Sequence, residues 1–511
     1  MDLWGDAQKL PQTPSQDPKP GLESDFITAM ATRIDTTTDW VHGGISWSAM
    51  DQSTILQSTS DAGLLSPAQS PTAKLSDLAI PDLAWADLDQ LYFDRVHPVA
   101  PIVHTQRYLA WAGEGNPPMV RACLRMAMRT AASAVSAQFR HLSNAIYSET
   151  RRMLETLDAS EHDNDQGLPW MTTVEVSKEI HLEQIQAWLL LVHYEILCMS
   201  GHLASLTAAR ALRLVRLLRL YDVDASDVPA PSPATIGSGK GFAETEEKRR
   251  TFWLAFSFDR LFSTMCEWSM TLHEEIIRTR LPAPEENFQK DQPIRMDFLP
   301  EAINKDGQSS ALLSPFAECM VLATLHGRSI THKQLALSAI GSAKDTRDFW
   351  ARHEWLAAEV EKHTQLLESW RQNSAGTSTS DLVDGNPMLL FTNILAHDTI
   401  VYLSNVTETI AWDDVGHQLI SASYKQRGIQ AASEVVRLAH PFLPGALSRA
   451  ATCLMMQIRT GEISTPGNEI DAGIEKLLDT LRRMMEINNM ARKYLHNLEG
   501  KPDAVSRGLN C

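Results

Sequence analysis

The chain has 511 residues, 43% of them apolar, enough to bury a large core and to make up roughly two to four domain-sized units. Its 46 Lys plus Arg against 63 Asp plus Glu give a formal charge of −17, which argues against broad electrostatic adhesion to DNA or to anionic membrane surfaces. The six cysteines stand singly with no Cys-x-x-Cys, and no apolar run approaches the roughly 18 residues of a membrane span, so neither a zinc site, a disulfide framework nor a membrane segment is suggested.

Residues 1–80 are rich in Ser, Thr, Pro, Gln and Asp and weakly periodic, and are expected to form a disordered tail or linker with no signal peptide. Asp2-Leu3-Trp4, Asp25-Phe26 and Asp39-Trp40 have the acidic-aromatic spacing of an activation segment, although a linker with stray aromatics explains them more simply. Order is expected from Pro81, where Leu83, Trp85, Leu88, Leu91, Tyr92 and Val96 hold roughly helical spacing up to His97-Pro98. His97 and His104 lack acidic or cysteine partners at ligand spacing and are read as packed, hydrogen-bonded side chains. Helices are predicted over Met119–Ala137 and Ser148–Leu157, with a polar break over Asp158–Gly167.

From Glu179 to Met199, Leu182, Ile185, Leu189, Val192, Ile196 and Met199 form one apolar seam, which Gly201 is expected to end. A second helix over Leu203–Tyr221 carries Arg210, Arg213, Arg216 and Arg219 at every third position. They are read as a solvated face whose stems cover leucines, with a basic patch for an acidic partner or phosphate as the alternative. Val228–Phe242 is a flexible connector: Gly237-Ser238-Gly239-Lys240-Gly241 lacks the glycine spacing, the Ser/Thr after lysine and the preceding strand of a phosphate loop.

The most informative stretch runs from Glu244 to Gln289. Glu244, Glu246 and Glu247 favour a helix start, and Glu244–Lys248 and Glu246–Arg250 face each other one turn apart. Phe252, Trp253, Phe256 and Phe258 distribute aromatic bulk around the helix, predicting burial on several sides. Asp259-Arg260 in that setting must be paired, and is read as bracing the helix against a neighbour rather than as a catalytic pair, since no nucleophile, metal ligand set or phosphate loop accompanies it. Leu281-Pro282-Ala283-Pro284 stops the helical pattern.

This ordered set resembles a known family. Glu244-x-Glu246-x-Lys248-Arg249-Arg250-x-Phe252-Trp253, then Phe258-Asp259-Arg260 and Arg280-Leu281-Pro282, is similar to the fungal-specific transcription factor domain, the all-helical middle region of fungal zinc-cluster regulators. The run from Tyr92 to His104 resembles the opening of the same domain, and Leu281 to Gln289 resembles regulators associated with secondary-metabolite clusters. The likeness is best over Leu88–Gln289 and continues to about Leu454; Leu218-Arg219-Leu220-Tyr221 departs from the Leu-Gly-Leu-His usual in the family. Such regulators carry a basic six-cysteine module holding two zincs, and no such pattern occurs in this sequence.

Further helices are predicted over Ser314–Ser338, Arg347–Gln372, Pro387–Ile410, Gln418–Ala439, Leu447–Arg459 and Ile470–Leu498, the last docking on the body or on a second subunit. The fold class is therefore all-α, a multi-helix regulatory body with a disordered N-terminal tail, divided as 1–80 tail, 81–290 transcription factor domain core, 291–500 helical C-terminal half and 501–511 flexible tail. The resemblance implies a nuclear transcriptional regulator of a secondary-metabolite cluster, not an enzyme. Its expected partners are the transcription machinery, related regulators as homo- or heterodimers, and DNA, reached indirectly or through a zinc module missing from this chain. No residue is singled out as catalytic, cofactor-binding or metal-ligating, and no membrane is expected. The competing readings are a scaffold or dominant-negative partner of zinc-cluster regulators, and a helical small-molecule-binding protein using the aromatic and methionine density of Trp253–Met270.

Overall fold

Helix-favouring segments joined by short polar breaks give a body made of rods. The computed structural model describes residues 80–160, 180–225, 241–266, 269–304, 314–339, 343–375, 386–438, 444–460, 468–485 and 488–499, all within the compact unit Leu64–Cys511. These residues form sixteen α-helices and, among the described residues, no β-strand, in agreement with the all-α expectation. The expected tail lies outside the described residues, as do most of the polar break after Asp158 and most of the Val228–Phe242 connector.

The first seven helices are α1 (Asp82–Leu91), α2 (Thr105–Ala112), α3 (Met119–Ala134), α4 (Arg140–Ser160), α5 (Leu182–Cys198), α6 (Gly201–Leu217) and α7 (Phe242–Cys266). The small side chains of Cys123, Ala127, Ala131 and Ala132 are fully buried, so α3 lies close against α1, α4 and α5. Before His97-Pro98 the chain opens into one π-helical turn, Tyr92–Val96, with Tyr92 and Val96 fully buried. Helix α4 is longer than the predicted Ser148–Leu157, running from Arg140 to Ser160, and it meets α3 where the hydroxyls of Thr130 and Thr150, each also donating to its own helix, lie 2.9 Å apart.

Two sequence expectations are corrected here. The α5 seam is only one face of a helix buried almost all round, because Gln184, Gln186 and Glu195 are interior as well. Each has a partner: Gln184 donates to Asp158 Oδ1 (2.8 Å), Gln186 to the Ile102 carbonyl (2.7 Å), and Glu195 accepts from Tyr147 (2.7 Å) and Arg151 (2.9 Å). Gly201 does not end α5 but begins α6. Ser200 is the N-cap, its Oγ accepting from Leu203 N at 3.2 Å, and this serine signal outweighs the glycine beside it.

The remaining helices are α8 (Glu285–Gln289), α9 (Leu299–Asn304), α10 (Pro315–Ala339), α11 (Ala343–Ala375), α12 (Pro387–Glu408), α13 (Val415–Leu438), α14 (Pro444–Thr460), α15 (Asn468–Met484) and α16 (Asn489–Glu499). Neighbours in sequence mostly pack on one another, and α10 also lies against α7. The single helix predicted over Ile470–Leu498 is two, because Asn488 Oδ1 accepts from Met490 N and Ala491 N and starts a new helix. A second core joins Ile394 and Val401 of α12 to Ala432, Leu447, Leu477 and Leu495 of the helices that follow. Helix α16 then returns to the first half, where Asn489 donates to the Cys198 carbonyl (2.5 Å) at the end of α5.

Helices α12 and α13 meet where Gly428 faces Ser404, and a Cβ at residue 428 would fall 2.6 Å from Ser404 Cβ. Gly428→Ala is therefore expected to destabilise by about 1–3 kcal/mol, lowering the midpoint of thermal unfolding. Gly473→Ala, whose Cβ would meet only Val436 methyls at 3.9 Å, is expected to have little effect, and adding Ser404→Gly to Gly428→Ala should recover most of the loss.

Candidate functional site

Glu246, Glu247, Arg250, Asp259 and Arg260 of α7 are buried, and those near its N-terminal end form one connected polar cluster. Residues four apart share a helix face, so Glu246 and Arg250 point the same way, and the aromatic surroundings force both to find partners. Arg250 is 1% exposed and Glu246 0%. The guanidinium donates to Glu246 Oε1 (3.0 Å), Glu285 Oε2 (2.5 Å) and the carbonyls of Pro101 (3.0 Å) and Ala283 (2.7 Å), and lies 4.1 Å from the Phe288 ring centroid. Glu246 also accepts from Ala283 N (2.8 Å) and Arg249 (3.3 Å). One arginine thus ties α7 both to the segment before α2 and to the proline-rich segment leading into α8.

Three further contacts extend this cluster. Glu247 accepts from His104 N (2.9 Å) and Arg107 Nε (3.0 Å), fixing the start of α2, where His104 Nδ1 itself accepts from Arg107 N. Burial pushes the Glu247 carboxyl up to about 7 in spite of both donors. His97 Nε2 lies 2.7 Å from Glu285 Oε1. Burial raises the Glu285 carboxyl, but the Arg250 charge and the His97 hydrogen bond outweigh it and hold the group well below the usual carboxylate range. Arg249 forms a two-pronged pair with Asp224 (3.0 and 2.6 Å), and Asp224 in turn accepts from Arg280 N (2.9 Å).

That last pair anchors a backbone stitch. Arg278 N donates to Tyr221 O (2.7 Å), Asp224 N to Arg278 O (3.0 Å), and Thr279 Oγ1 to Leu220 O (2.7 Å). Trp253 Nε1 closes the corner on the Arg280 carbonyl at 2.7 Å. The turn that departs from the family pattern, with Arg219 in the left-handed region at φ 54°, feeds directly into this stitch.

At the other end of α7, Asp259 accepts from Thr271 N (3.0 and 3.1 Å), Leu272 N (2.9 Å) and Arg260 (2.7 Å). The Arg260 guanidinium lies 3.6 Å from the Phe256 ring centroid. Gly327 of α10 leaves room for this side chain, since a Cβ there would fall 3.0 Å from Arg260 Cγ. The pair therefore braces α7 against the following segment and α10, as the sequence reading has it.

Chemically, these carboxylates already accept from guanidinium and backbone donors and serve to position helices. His97 and His104 are packed and hydrogen-bonded, as expected. Among the described residues no group of three or more His, Cys, Asp or Glu is arranged to hold a metal ion, and no helix is long and apolar enough to cross a membrane. Of the described cysteines, Cys123 and Cys319 are buried and Cys198 and Cys453 half-buried. Sequence reading misses Asp224, Glu285 and Asp291, whose partners in the cluster lie 25 to 188 residues away in the chain; Asp291 Oδ1 accepts from Ala243 N (2.8 Å) and so caps α7. Its left-handed backbone, φ 51°, is compatible with the preference of Asp for that region, but nothing in the local pattern announces the partner.

A family profile described as "Fungal specific transcription factor domain" matches residues 90–372, a span that contains the whole charged cluster. The chain is 41% identical over 468 residues to the sorbicillinoid biosynthetic cluster transcription factor 1 of Penicillium rubens, covering 85% of this chain and 74% of that protein. It is 40% identical to the asperfuranone cluster transcription factor afoA of Emericella nidulans (82% and 65%) and 38% identical to the pigment biosynthesis transcriptional activator pigB of Monascus ruber (84% and 76%).

Glu247 gives the cluster a pH signature. Its folded value of about 7 stands above its ordinary 4.5, so between those values the folded state binds more protons than the unfolded one. This residue's contribution must then fall as pH rises from about 4.5 through 7. Urea unfolding of wild type and Glu247→Gln across that window is expected to show wild type losing stability relative to the variant as pH rises; parallel profiles would contradict the assignment.

Proposed function

Given that the chain belongs to the fungal family defined by the fungal specific transcription factor domain, we propose that it controls one secondary-metabolite biosynthetic gene cluster, acting in the nucleus through its helical body. The observation that carries this reading is similarity along more than four fifths of the chain to several regulators, each named for one biosynthetic cluster or product. Those names specify different products, so the reading stops at the class of cluster. The protein is a transcriptional regulator, and the engaged carboxylates of α7 fit a regulator better than an enzyme.

The physical role we assign to the body is protein–protein. Lys248-Arg249-Arg250, the basic run that most resembles a nuclear or DNA-binding signal, is consumed internally: Lys248 pairs with Glu244, Arg249 with Asp224 and Arg250 with Glu246. A body with a chain charge of −17 and its strongest basic run engaged in internal ion pairs is suited to hold partners rather than phosphates. DNA contact is then assigned to a zinc module or to a related regulator bound as a partner.

The test is to delete the gene in its native host and measure transcripts of the biosynthetic genes around its locus. Their loss, restored by reintroducing the gene, is the expected result. Unchanged transcripts under conditions where the cluster is otherwise active would overturn the proposal.

A further inference from the structure

Helix α6 carries charge that the internal networks leave unused. Of its arginine series, Arg210 pairs with Asp158 Oδ2 (3.4 Å) and lies 4.7 Å from the Trp188 ring centroid, and Arg219, in the turn after α6, pairs with Asp222 (2.5 Å). Arg213 and Arg216 are different. Both are exposed, and neither side chain makes a hydrogen bond or ion pair with any described residue.

The geometry gathers them with other exposed residues. At about 100° per residue, His202, Leu206, Ala209, Arg213 and Arg216 fall within about 80° of one another, on a stripe about 21 Å long. All five are exposed, Leu206 to 56%. The opposite face, with Ala204, Ala208, Ala211 and Val215 each at 2% exposure or less, is locked against α5 and α7. The helix is capped by Ser200, so the stripe is a fixed ridge: one projecting leucine, a small residue beside it and, at one end, two guanidinium groups unpaired among the described residues.

We infer that this ridge docks an acidic amphipathic helix of a partner protein. An apolar side chain of the partner rests on Leu206 and in the dent at Ala209, packing against the apolar arginine stems, while its carboxylates take the two forks of Arg213 and Arg216. The helix macrodipole favours a cation in the last turn and accounts for Arg216, but not for Leu206 or Arg213. A second copy joined through this face by a two-fold axis offers the guanidinium groups no carboxylate, since the stripe carries only histidine, apolar and arginine side chains, so self-association is the wrong occupant. Nucleic acid is the weaker fit too, because the centre of the ridge is apolar and the chain as a whole is strongly acidic. This inference rests on α6 alone, whatever genes the protein controls.

The test uses the full chain and fluorescence anisotropy with a labelled helical peptide of about 15 residues, enough to span the ridge, bearing leucine on one face flanked by glutamate. Control probes are the same peptide with glutamine for glutamate, and a random-sequence DNA duplex. The Glu peptide is expected to bind, and to lose at least about tenfold in affinity, on the order of 1.4 kcal/mol, against both Leu206→Glu and the double variant Arg213→Glu/Arg216→Glu. These positions are exposed, so circular dichroism and thermal unfolding should match wild type. Failure of the Glu peptide to bind, equal binding by the variants, equal binding of the Gln peptide, or binding of the duplex alone would each overturn the assignment.

Discussion

The body depends on a single guanidinium held almost wholly out of water. Arg250 has no solvent to fall back on, so every donor must be met by a protein acceptor, and the acceptors come from three separated stretches: Glu246 on its own helix, Pro101 ahead of α2, and Ala283 with Glu285 at the entry to α8. A buried ion pair of this kind adds little over a well-packed apolar substitute, but removing one partner leaves a stranded charge and costs about 3–5 kcal/mol. Its value here is positional. It dictates where the chain before α2 and the chain after α7 must run, and those two segments in turn carry His97, His104 and Glu285 into the same cluster.

The two ends of α7 solve the same problem with different parts. The N-terminal end spreads charge over Arg249, Arg250, Glu246 of the same helix and two carboxylates from neighbouring elements, Asp224 and Glu285, while the C-terminal end uses one carboxylate, Asp259, as an acceptor for two successive backbone N–H groups and the adjacent arginine. Between them, Phe252, Trp253 and Phe256 are fully buried, so the helix is fixed along its length. A helix so fully committed to its neighbours has no free charge for DNA. The recognisable family motif on α7 is therefore a record of how the domain is held together, and the surfaces available to partners lie elsewhere.

What the sequence makes legible follows the range of the interactions. Glu246–Arg250 and Glu244–Lys248 can be read because helical periodicity places residues four apart together. The aromatic girdle and the proline stop after Leu281 are equally local signals. Arg107–Glu247 spans 140 residues and Arg249–Asp224 crosses a connector, so no periodicity relates them. Local signals also compete: Ser200 and Gly201 offer a start and a stop side by side, and the serine prevails; at Asn488 apolar spacing continues on both sides and hides a cap. An apolar pattern carries no signal for the interior Gln186 and Glu195 of α5, although their burial follows once Ile102 and Tyr147 are in place to satisfy them.

Hydrogen–deuterium exchange on wild type and Arg250→Met tests the central claim most directly. If Arg250 positions the flanking segments, the variant must lose protection over residues 97–107 and 278–289 while α13 to α16, which pack around the second core, keep theirs. Unchanged protection in those two segments, or a uniform loss across the whole body, would contradict the account.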